Sequence, residues 1–277
     1  MNTIEARSYS ESVTEHLLES SIDHWRIRTD NVEFLISCID VLQTSDVDQL
    51  TTEWLCSPET LKQLGKDFIV ATKISELVAN NQLSIRTSTS ADPNTPTLLL
   101  SQERVVNLLG LDGGEAVQIE ITDEDICTRL WEQYRSEWEM GMPESIDTPP
   151  YSRLLALAEH KLGADIRDDI ATAYSAMESR TPGDRPEPVT VGLLVGAKHN
   201  LLLRDVVEWA ETSTLATQGT VSKLKQQLEN VGVITTESEN IGVGRPRQRL
   251  ALADESFESL AADELVANVQ TVLTGMT

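Results

Sequence analysis

Apolar residues in the first half of the chain alternate between the spacing of short strands and that of amphipathic helices. Short apolar or alternating runs predict strands at residues 34–38, 53–56, 83–87, 97–100, 105–109 and 115–121. Helical spacing predicts helices at residues 8–20, 57–80 and 123–140. Strands that alternate with helices in this way are typical of an α/β domain, which we expect to span residues 1–141.

The second half of the chain has a mainly helical pattern. A helical linker is predicted over residues 142–188, followed by a compact unit at 189–253 and an amphipathic helix at 254–277. The predicted helices are 151–161 and 165–178 in the linker and 191–199, 202–211 and 217–230 in the compact unit, whose strands are 233–236 and 247–252. The fold class predicted for the whole chain is therefore α+β.

The third helix of the compact unit has one apolar and one polar face. Val221, Leu224 and Leu228 recur at helical spacing and predict a buried stripe. The opposite face carries short polar and basic side chains with no acid before Glu229, a composition that suits contact with base edges and phosphates. Gly232 then predicts the end of the helix.

The tip of the predicted hairpin is basic and stiff. Pro246 lies between Arg245 and Arg247 and keeps the backbone extended. Arginine that enters a narrow minor groove contributes affinity and shape readout. We expect the third helix in the major groove, the tip in the minor groove and further basic residues near phosphates. The residues predicted to contact DNA are Thr217, Gln218, Thr220, Ser222, Lys223, Lys225, Gln226, Arg245, Arg247, Arg249, Lys198 and Arg204.

Charge is distributed unevenly along the chain. The net charge is −23, with 45 Asp and Glu against 22 Lys and Arg, and the acids are scattered rather than gathered in a tail. Such a surface suits high salt, where the Debye length falls to about 3 Å at 1 M, so we expect a halophilic source. Residues 189–252 are the exception, because they hold seven basic and six acidic residues. The segment predicted to meet DNA is therefore close to neutral.

The third helix resembles a known signature. Thr220-Val221-Ser222-Lys223, then Leu228-Glu229 and Gly232-Val233-Ile234, are similar to the recognition helix of prokaryotic winged helix-turn-helix regulators. The whole arrangement, an acidic α/β front and a Gly-Arg-Pro-Arg hairpin, resembles haloarchaeal regulators of the TbsP type, which act beside TrmB in controlling sugar and gluconeogenic genes. The resemblance implies a transcriptional regulator, and we expect it to bind double-stranded DNA as a homodimer.

The front domain resembles one half of the phospholipase D-like sensor domain of TrmB-type regulators in its order of elements. The catalytic signature of that family is H-x-K followed by a spaced Asp. Here His160 and Lys161 are adjacent and lie outside the domain. The resemblance therefore implies a non-catalytic domain for sensing or dimerisation, and no enzyme activity is expected.

Two strand ends of the front domain offer a candidate ligand site. Ser57 begins a helix directly after a strand, which is a favourable place for an anion. Arg86, Thr87 and Ser88 end another strand, and the two ends together would surround a sugar phosphate. The alternative is that Ser57 only caps its helix and that Arg86 is a surface charge.

The remaining sequence indicates no metal or cofactor. Cys38, Cys56 and Cys127 are isolated and lack zinc spacing, so we expect them as small buried residues. Neither a signal-peptide pattern nor an apolar run of about 18 residues occurs, which favours a cytoplasmic protein without a membrane span. Two alternatives to a DNA-binding regulator stay open: a winged-helix adaptor that binds protein, and an enzyme with a degenerate phospholipase D fold.

Overall fold

The chain forms two compact units, Met1–Asp147 and Thr148–Thr277. The computed structural model describes residues 6–18, 22–44, 50–88, 96–111, 115–178, 185–239 and 247–274. The fold mixes helices and strands in both units, so the predicted α+β class is confirmed. Arg245 and the rest of the predicted hairpin tip lie outside the described residues.

In the part of the chain that the structure describes, eight strands of the first unit form one mixed sheet. The bounds are β1 (Ala6–Ser8), β2 (His24–Arg28), β3 (Thr51–Cys56), β4 (Leu83–Thr87), β5 (Thr97–Leu100), β6 (Val105–Gly110), β7 (Glu115–Ile121) and β8 (Met142–Pro143). The order across the sheet is β1-β7-β6-β5-β2-β3-β4-β8. Strands β2, β3 and β4 are parallel neighbours, whereas the other neighbours are antiparallel.

Helices cover both faces of this sheet. Their bounds are α1 (Tyr9–Val13), which continues into a π-helical turn (Thr14–Leu18), α2 (Val32–Thr44), α3 (Pro58–Leu64), α4 (Phe68–Ala79) and α5 (Glu124–Met140). Because successive strand residues point to opposite faces, Trp54 of β3 packs in a cluster with Phe34 of α2, while Leu55 packs in a second cluster with Tyr134 of α5. The sheet is thus enclosed between α1–α4 and α5.

The predicted strand at 34–38 is wrong, since these residues lie in α2. Phe34, Leu35, Cys38 and Ile39 are buried at helical spacing. A short apolar run does not distinguish a buried strand from a buried helix. Three of the described strands, β1, β2 and β8, were missed by the pattern; in β2, Trp25 and Ile27 are buried between polar residues.

The helix predicted at 57–80 is divided into α3 and α4. Ser57 caps α3, and Asp67 caps α4 by accepting hydrogen bonds from the backbone N–H groups of Ile69 (3.0 Å) and Val70 (3.3 Å). A side-chain cap of this kind satisfies N–H groups that have no partner within the helix. Asp67 is therefore a second helix start, and two helices stand where the sequence predicted one.

The second unit is mainly helical. Its bounds are α6 (Tyr151–Leu162), α7 (Ala164–Glu178), α8 (Pro188–Lys198), α9 (Leu203–Thr212), α10 (Gln218–Asn230), β9 (Ile234–Glu239), β10 (Arg247–Leu252), α11 (Glu255–Glu258) and α12 (Ala262–Thr274). Helices α6 and α7, which we expected as a linker, pack within this unit. The indole Nε1 of Trp209 in α9 donates to the carbonyl of Leu154 in α6 (3.2 Å), and the hydroxyl of Tyr174 in α7 donates to the carbonyl of Pro188 (3.1 Å).

The helices of the described residues include none that is long and apolar enough to cross a membrane.

Candidate nucleic-acid interface

The core of the second unit is a three-helix arrangement closed by a hairpin. Helix α8 is almost wholly buried, and α9 and α10 pack against it. Between α8 and α9, Leu202 forms an antiparallel bridge to Arg249 of β10. Strands β9 and β10 pair antiparallel along their length, from Ile234 with Leu252 to Glu239 with Arg247. Helix α10 is therefore held between α9 and the hairpin.

Both ends of α10 are defined by local interactions. At its start the Thr217 hydroxyl accepts a hydrogen bond from the Thr220 N–H (3.3 Å). At its end Gly232 has a φ of +72°, which favours glycine, and the Val233 N–H donates to the Leu228 carbonyl (3.0 Å). The predicted glycine stop is thus confirmed, and it turns the chain directly into β9.

One face of α10 is buried and the other is open. Val221 and Leu228 are buried, as the apolar stripe predicted, whereas Leu224 is half-buried. The sequence-predicted residues on the other face are exposed, apart from a half-buried Ser222; the exposed ones are Thr217, Gln218, Thr220, Lys223 and Gln226. Within α10, which is described throughout, the first acid is Glu229. As far as Glu229, the open face therefore carries only neutral polar and basic side chains.

A groove of about 610 Å³ lies beside this open face. Four of the predicted residues line it together: Gln218 and Ser222 from α10, Arg247 from β10 and Arg204 from α9. The sequence reasoning missed Gln248, which also lines the groove. Nothing in the sequence marked Gln248 as a DNA contact. It becomes a candidate only because it lies beside Arg247 on an exposed strand.

Acidic residues also face this groove. Glu208 and Glu211 of α9 belong to its wall. The Glu211 carboxylate accepts a hydrogen bond from the Gln218 N–H (3.1 Å), and Glu208 is paired with Lys161 of α6. These carboxylates would repel DNA phosphates at low salt and would be screened at high salt.

Two basic residues that we expected near phosphates form hydrogen bonds to other side chains of the same domain. Lys225 is only 9% exposed, and its Nζ donates to Glu229 (2.9 Å) and to the Thr236 hydroxyl (3.2 Å). Arg249 donates through Nε to Glu239 (2.9 Å). We therefore correct the expectation for Lys225, because a buried ammonium group does not reach a phosphate.

The other two predicted phosphate contacts differ in their surroundings. Lys198 is paired with Asp169 (3.1 Å) and is about four-fifths buried. Arg204 is paired with its neighbour Asp205 (2.9 Å) but its side chain is 60% exposed. Of these two, Arg204 is the one whose charge faces solvent and the groove.

The strand ends of the first unit bring Ser57 close to the segment after β4. Cys56 pairs with Thr87 in register, and the Ser88 N–H donates to the Cys56 carbonyl (2.9 Å). However, the place expected for an external anion is filled by the Asp30 carboxylate, which accepts from the Ser57 N–H (2.6 Å) and from the hydroxyl of Thr60 (2.8 Å). Ser57 is thus an N-cap with an internal anion beside it.

Arg86 is engaged at the end of α5 rather than facing a ligand. Its Nη1 donates to the carbonyls of Trp138 (2.9 Å), Glu139 (3.3 Å) and Gly141 (3.3 Å), and its guanidinium lies 5.2 Å from the centre of the Trp138 ring. Thr87 is 5% exposed. The candidate residues at these two strand ends are therefore occupied by the protein's own groups.

The cysteines are placed as small buried residues. All three are free and buried. Burial raises the pKa of the Cys38 thiol well above its usual value, and burial together with the nearby Asp30 raises the pKa of Cys56 to about 12. Such thiols stay protonated at neutral pH and are poor nucleophiles. Among the described side chains no group of three His, Cys, Asp or Glu is placed to hold a metal ion.

The order of a buried helix, a single bridging residue, two further helices and a hairpin defines the second unit as a winged helix-turn-helix domain, with α10 as the recognition helix and β9–β10 as the wing. Two family models match the chain: the TbsP-like transcriptional regulator N-terminal domain over residues 2–149 and the TbsP-like C-terminal HTH domain over residues 150–270. The chain belongs to the TbsP-like transcriptional regulators.

No curated protein matches the chain. Among solved structures the chain is similar to TrmBL2, an archaeal chromatin protein described as showing a novel mode of DNA binding, at 17% identity and a TM-score of 0.36. The match covers 52% of this chain and 54% of that one, so the chain spans about half the length of that protein. At this TM-score the similarity carries no argument about function.

Proposed function

We propose that this regulator recognises a specific double-stranded DNA sequence through α10 and β10. The observation that carries the proposal is the groove in which Gln218 and Ser222 face Arg247. Short polar side chains on a recognition helix read base edges in the major groove, and arginine on the neighbouring strand binds the backbone or the minor groove. Lys223 and Gln226 extend the same exposed face.

A binding assay with the DNA upstream of the protein's own gene tests this proposal. We expect Arg245→Ala with Arg247→Ala, and separately Lys223→Ala, to weaken binding in a gel shift while thermal melting stays unchanged. A base contact contributes about 1–3 kcal/mol, so the loss is about 5- to 150-fold per contact. Arg129→Ala with Arg135→Ala removes two exposed charges from α5 and controls for net charge. Equal binding by both double variants would contradict the proposal.

A protein-binding adaptor is the second candidate function, and the acidic wall of the groove favours it. Glu208 and Glu211 would suit a basic peptide better than a phosphate backbone. The salt dependence separates the two candidates. A winged helix that binds DNA selects one sequence over scrambled DNA at molar salt, whereas an adaptor shows no such selection at any salt concentration.

We propose that the regulator is a homodimer joined through the first unit. Leu109 (46% exposed) and Ile119 (46%) of neighbouring strands share a sheet face with Leu111 (48%). In a chain of charge −23, a second copy meets least repulsion at a mainly apolar face, and among the described residues this one carries a single acid at its edge, Glu115 beside Leu111. We expect Leu109→Thr with Ile119→Thr to convert the dimer to a monomer in light scattering, and a wild-type monomer would exclude the proposal.

Control of sugar and gluconeogenic genes, and a metabolite effector, are proposals that rest on the family resemblance. The protein groups bound to Ser57 and Arg86 argue against a sugar phosphate between them. A groove of about 620 Å³ beside Trp131 is lined by three carboxylates, from Glu103, Glu124 and Glu132, against one cation, Arg135, and this excess of acid also disfavours an anion. Calorimetry with fructose and glucose phosphates tests the effector, and genome-wide mapping of bound sites tests the target genes.

A further inference from the structure

The side chains of Lys225, Glu229 and Thr236 form a hydrogen-bonded link between the recognition helix and the wing. The Lys225 Nζ donates to Glu229 one turn along α10 (2.9 Å) and to the hydroxyl of Thr236 on β9 (3.2 Å), and the Thr236 hydroxyl in turn donates to the Glu229 carboxylate. The three groups close a ring of hydrogen bonds. Two of its members belong to α10 and the third belongs to the wing.

The charges of this link are partly shielded from solvent. The Lys225 side chain is 11% exposed and that of Glu229 is 29% exposed. Burial raises the pKa of Glu229, but the hydrogen bonds from Thr236 and Lys225 outweigh that effect, so its pKa is lowered and the carboxylate is ionised at neutral pH. A buried ion pair adds little stability compared with apolar residues of the same size, and its best-attested role is to fix one arrangement of elements.

A second charged contact holds the opposite strand of the wing. Arg249 of β10 donates to Glu239 of β9 (2.9 Å) and also to the carbonyl of Asn200, which follows α8. The wing is thus attached to α10 through β9 and to the end of α8 through β10. Both attachments use basic residues that would otherwise add to the positive charge facing DNA.

We propose that Lys225, Glu229 and Thr236 are positioning residues that set the place of the wing relative to the recognition helix. The inference rests on the proposed DNA binding. The distance between the major-groove contacts of α10 and the contact of Arg247 on the wing depends on this link. Without it the two halves of the interface would meet DNA independently, and the wing half would lose occupancy.

Thr236→Val is the sharpest variant, because it removes the hydroxyl at the wing end and leaves the Lys225–Glu229 pair within α10. Thr235→Val, at an exposed position of the same strand, is the matched control. We expect Thr236→Val to weaken DNA binding by roughly 2- to 10-fold. In a hydroxyl-radical footprint the protection by the wing should fall, while that by α10 and the melting temperature stay unchanged.

Three outcomes decide the proposal. A footprint of Thr236→Val equal to that of Thr235→Val would overturn it. Parallel loss of both footprint halves with a lower melting temperature would also overturn it, because the link would then act only on stability. Thr236→Val should also speed amide exchange relative to the wild type, in the protein without DNA. A larger increase in β9 than in α10 would support the proposal. Because exchange needs no DNA, the link is tested even if the wild-type protein gives no footprint and the proposed function fails.

Discussion

Two glycines in helices of the second unit have opposite surroundings. A Cβ added at Gly192 of α8 would lie 2.4 Å from Cζ3 of the buried Trp209 ring, which is fixed by its hydrogen bond to Leu154. A Cβ added at Gly219 of α10 would meet only the Thr217 hydroxyl at 3.7 Å. Gly192 therefore allows α8 and α9 to approach closely, whereas Gly219 faces open space.

We predict that Gly192→Ala destabilises the protein by about 1–3 kcal/mol, because an extra methyl group overfills a closed core. Gly219→Ala should be neutral or stabilising by up to ~1 kcal/mol, because alanine favours the helix. Urea unfolding of both variants measures the difference. If Gly192→Ala unfolds at the wild-type midpoint, the Trp209 ring is free to move and the close packing of α8 on α9 is not constraining.

Asp169 links α7 to the end of α8 and contributes to folding stability in a pH-dependent way. It accepts hydrogen bonds from His199 (2.8 Å) and is paired with Lys198 (3.1 Å). Burial raises its pKa, but these partners outweigh burial and lower the pKa below the ordinary 3.8. The folded carboxyl group is thus the stronger acid, so its stabilisation is present above pH 3.8 and is lost as the pH falls through the folded pKa.

We therefore expect Asp169→Asn to lower stability by about 1 kcal/mol at pH 7. The difference from the wild type should shrink as the pH falls below 3.8. Urea unfolding at a series of pH values checks this, with the exposed neighbour Asp168→Asn as the control. A difference that stays constant down to pH 3 would show that ionisation of Asp169 is not the cause.

At the scale of elements, helix α5 ends on an arginine from another element. Arg86 of β4 donates to the carbonyls of Trp138 and Glu139 in the last turn of α5 and of its C-cap Gly141, where helix carbonyls run out of regular helical partners. This role was hidden in the sequence, where Arg86 ends a strand more than 50 residues before the carbonyl groups that it binds. Strand β8, Met142–Pro143, pairs beside Arg86 and Thr87 and brings these carbonyls within reach.

We predict that Arg86→Met lowers the stability of the first unit by about 1–3 kcal/mol, because it removes the charged hydrogen bonds that three carbonyl groups accept. Arg135→Met, which removes an exposed arginine of α5 itself, should change stability by less than about 1 kcal/mol. Hydrogen exchange at the end of α5 and urea unfolding measure both effects. Equal effects of the two substitutions would contradict the capping role.

Element prediction from the sequence succeeded where local signals and burial agree. The strands β4–β7 and the helices α5–α10 were expected close to their observed bounds, since period, caps and glycine stops are local properties. It failed for α2 and β2. The apolar run of α2 is continuous because the helix is buried beneath the sheet, and β2 looked polar because His24, Arg26 and Arg28 separate its two buried residues.

At the scale of the whole molecule, stability depends on a net charge of −23. Self-repulsion of such a chain opposes the compact state and is screened by salt. We expect the melting temperature to rise by about 5–10 °C between 0.1 M and 2 M KCl. NaCl should act like KCl at equal ionic strength. A rise produced by sulfate but not by chloride would indicate solute exclusion instead of screening.

The sequence by itself determined the order of the winged-helix elements, the polar face of α10 and the contrast between a near-neutral DNA-binding unit and an acidic remainder. These follow from periodicity, capping residues and composition, which are local or additive. Only the tertiary structure decided which of these polar and charged groups can reach DNA or a ligand and which are paired within the protein. Arg249, Arg86 and Ser57 looked like groups for DNA or ligand, but each meets a carbonyl or carboxylate group from a distant part of the chain. Lys225 likewise meets Glu229 of its own helix and Thr236 of the wing. Packing brings together groups that the sequence keeps apart.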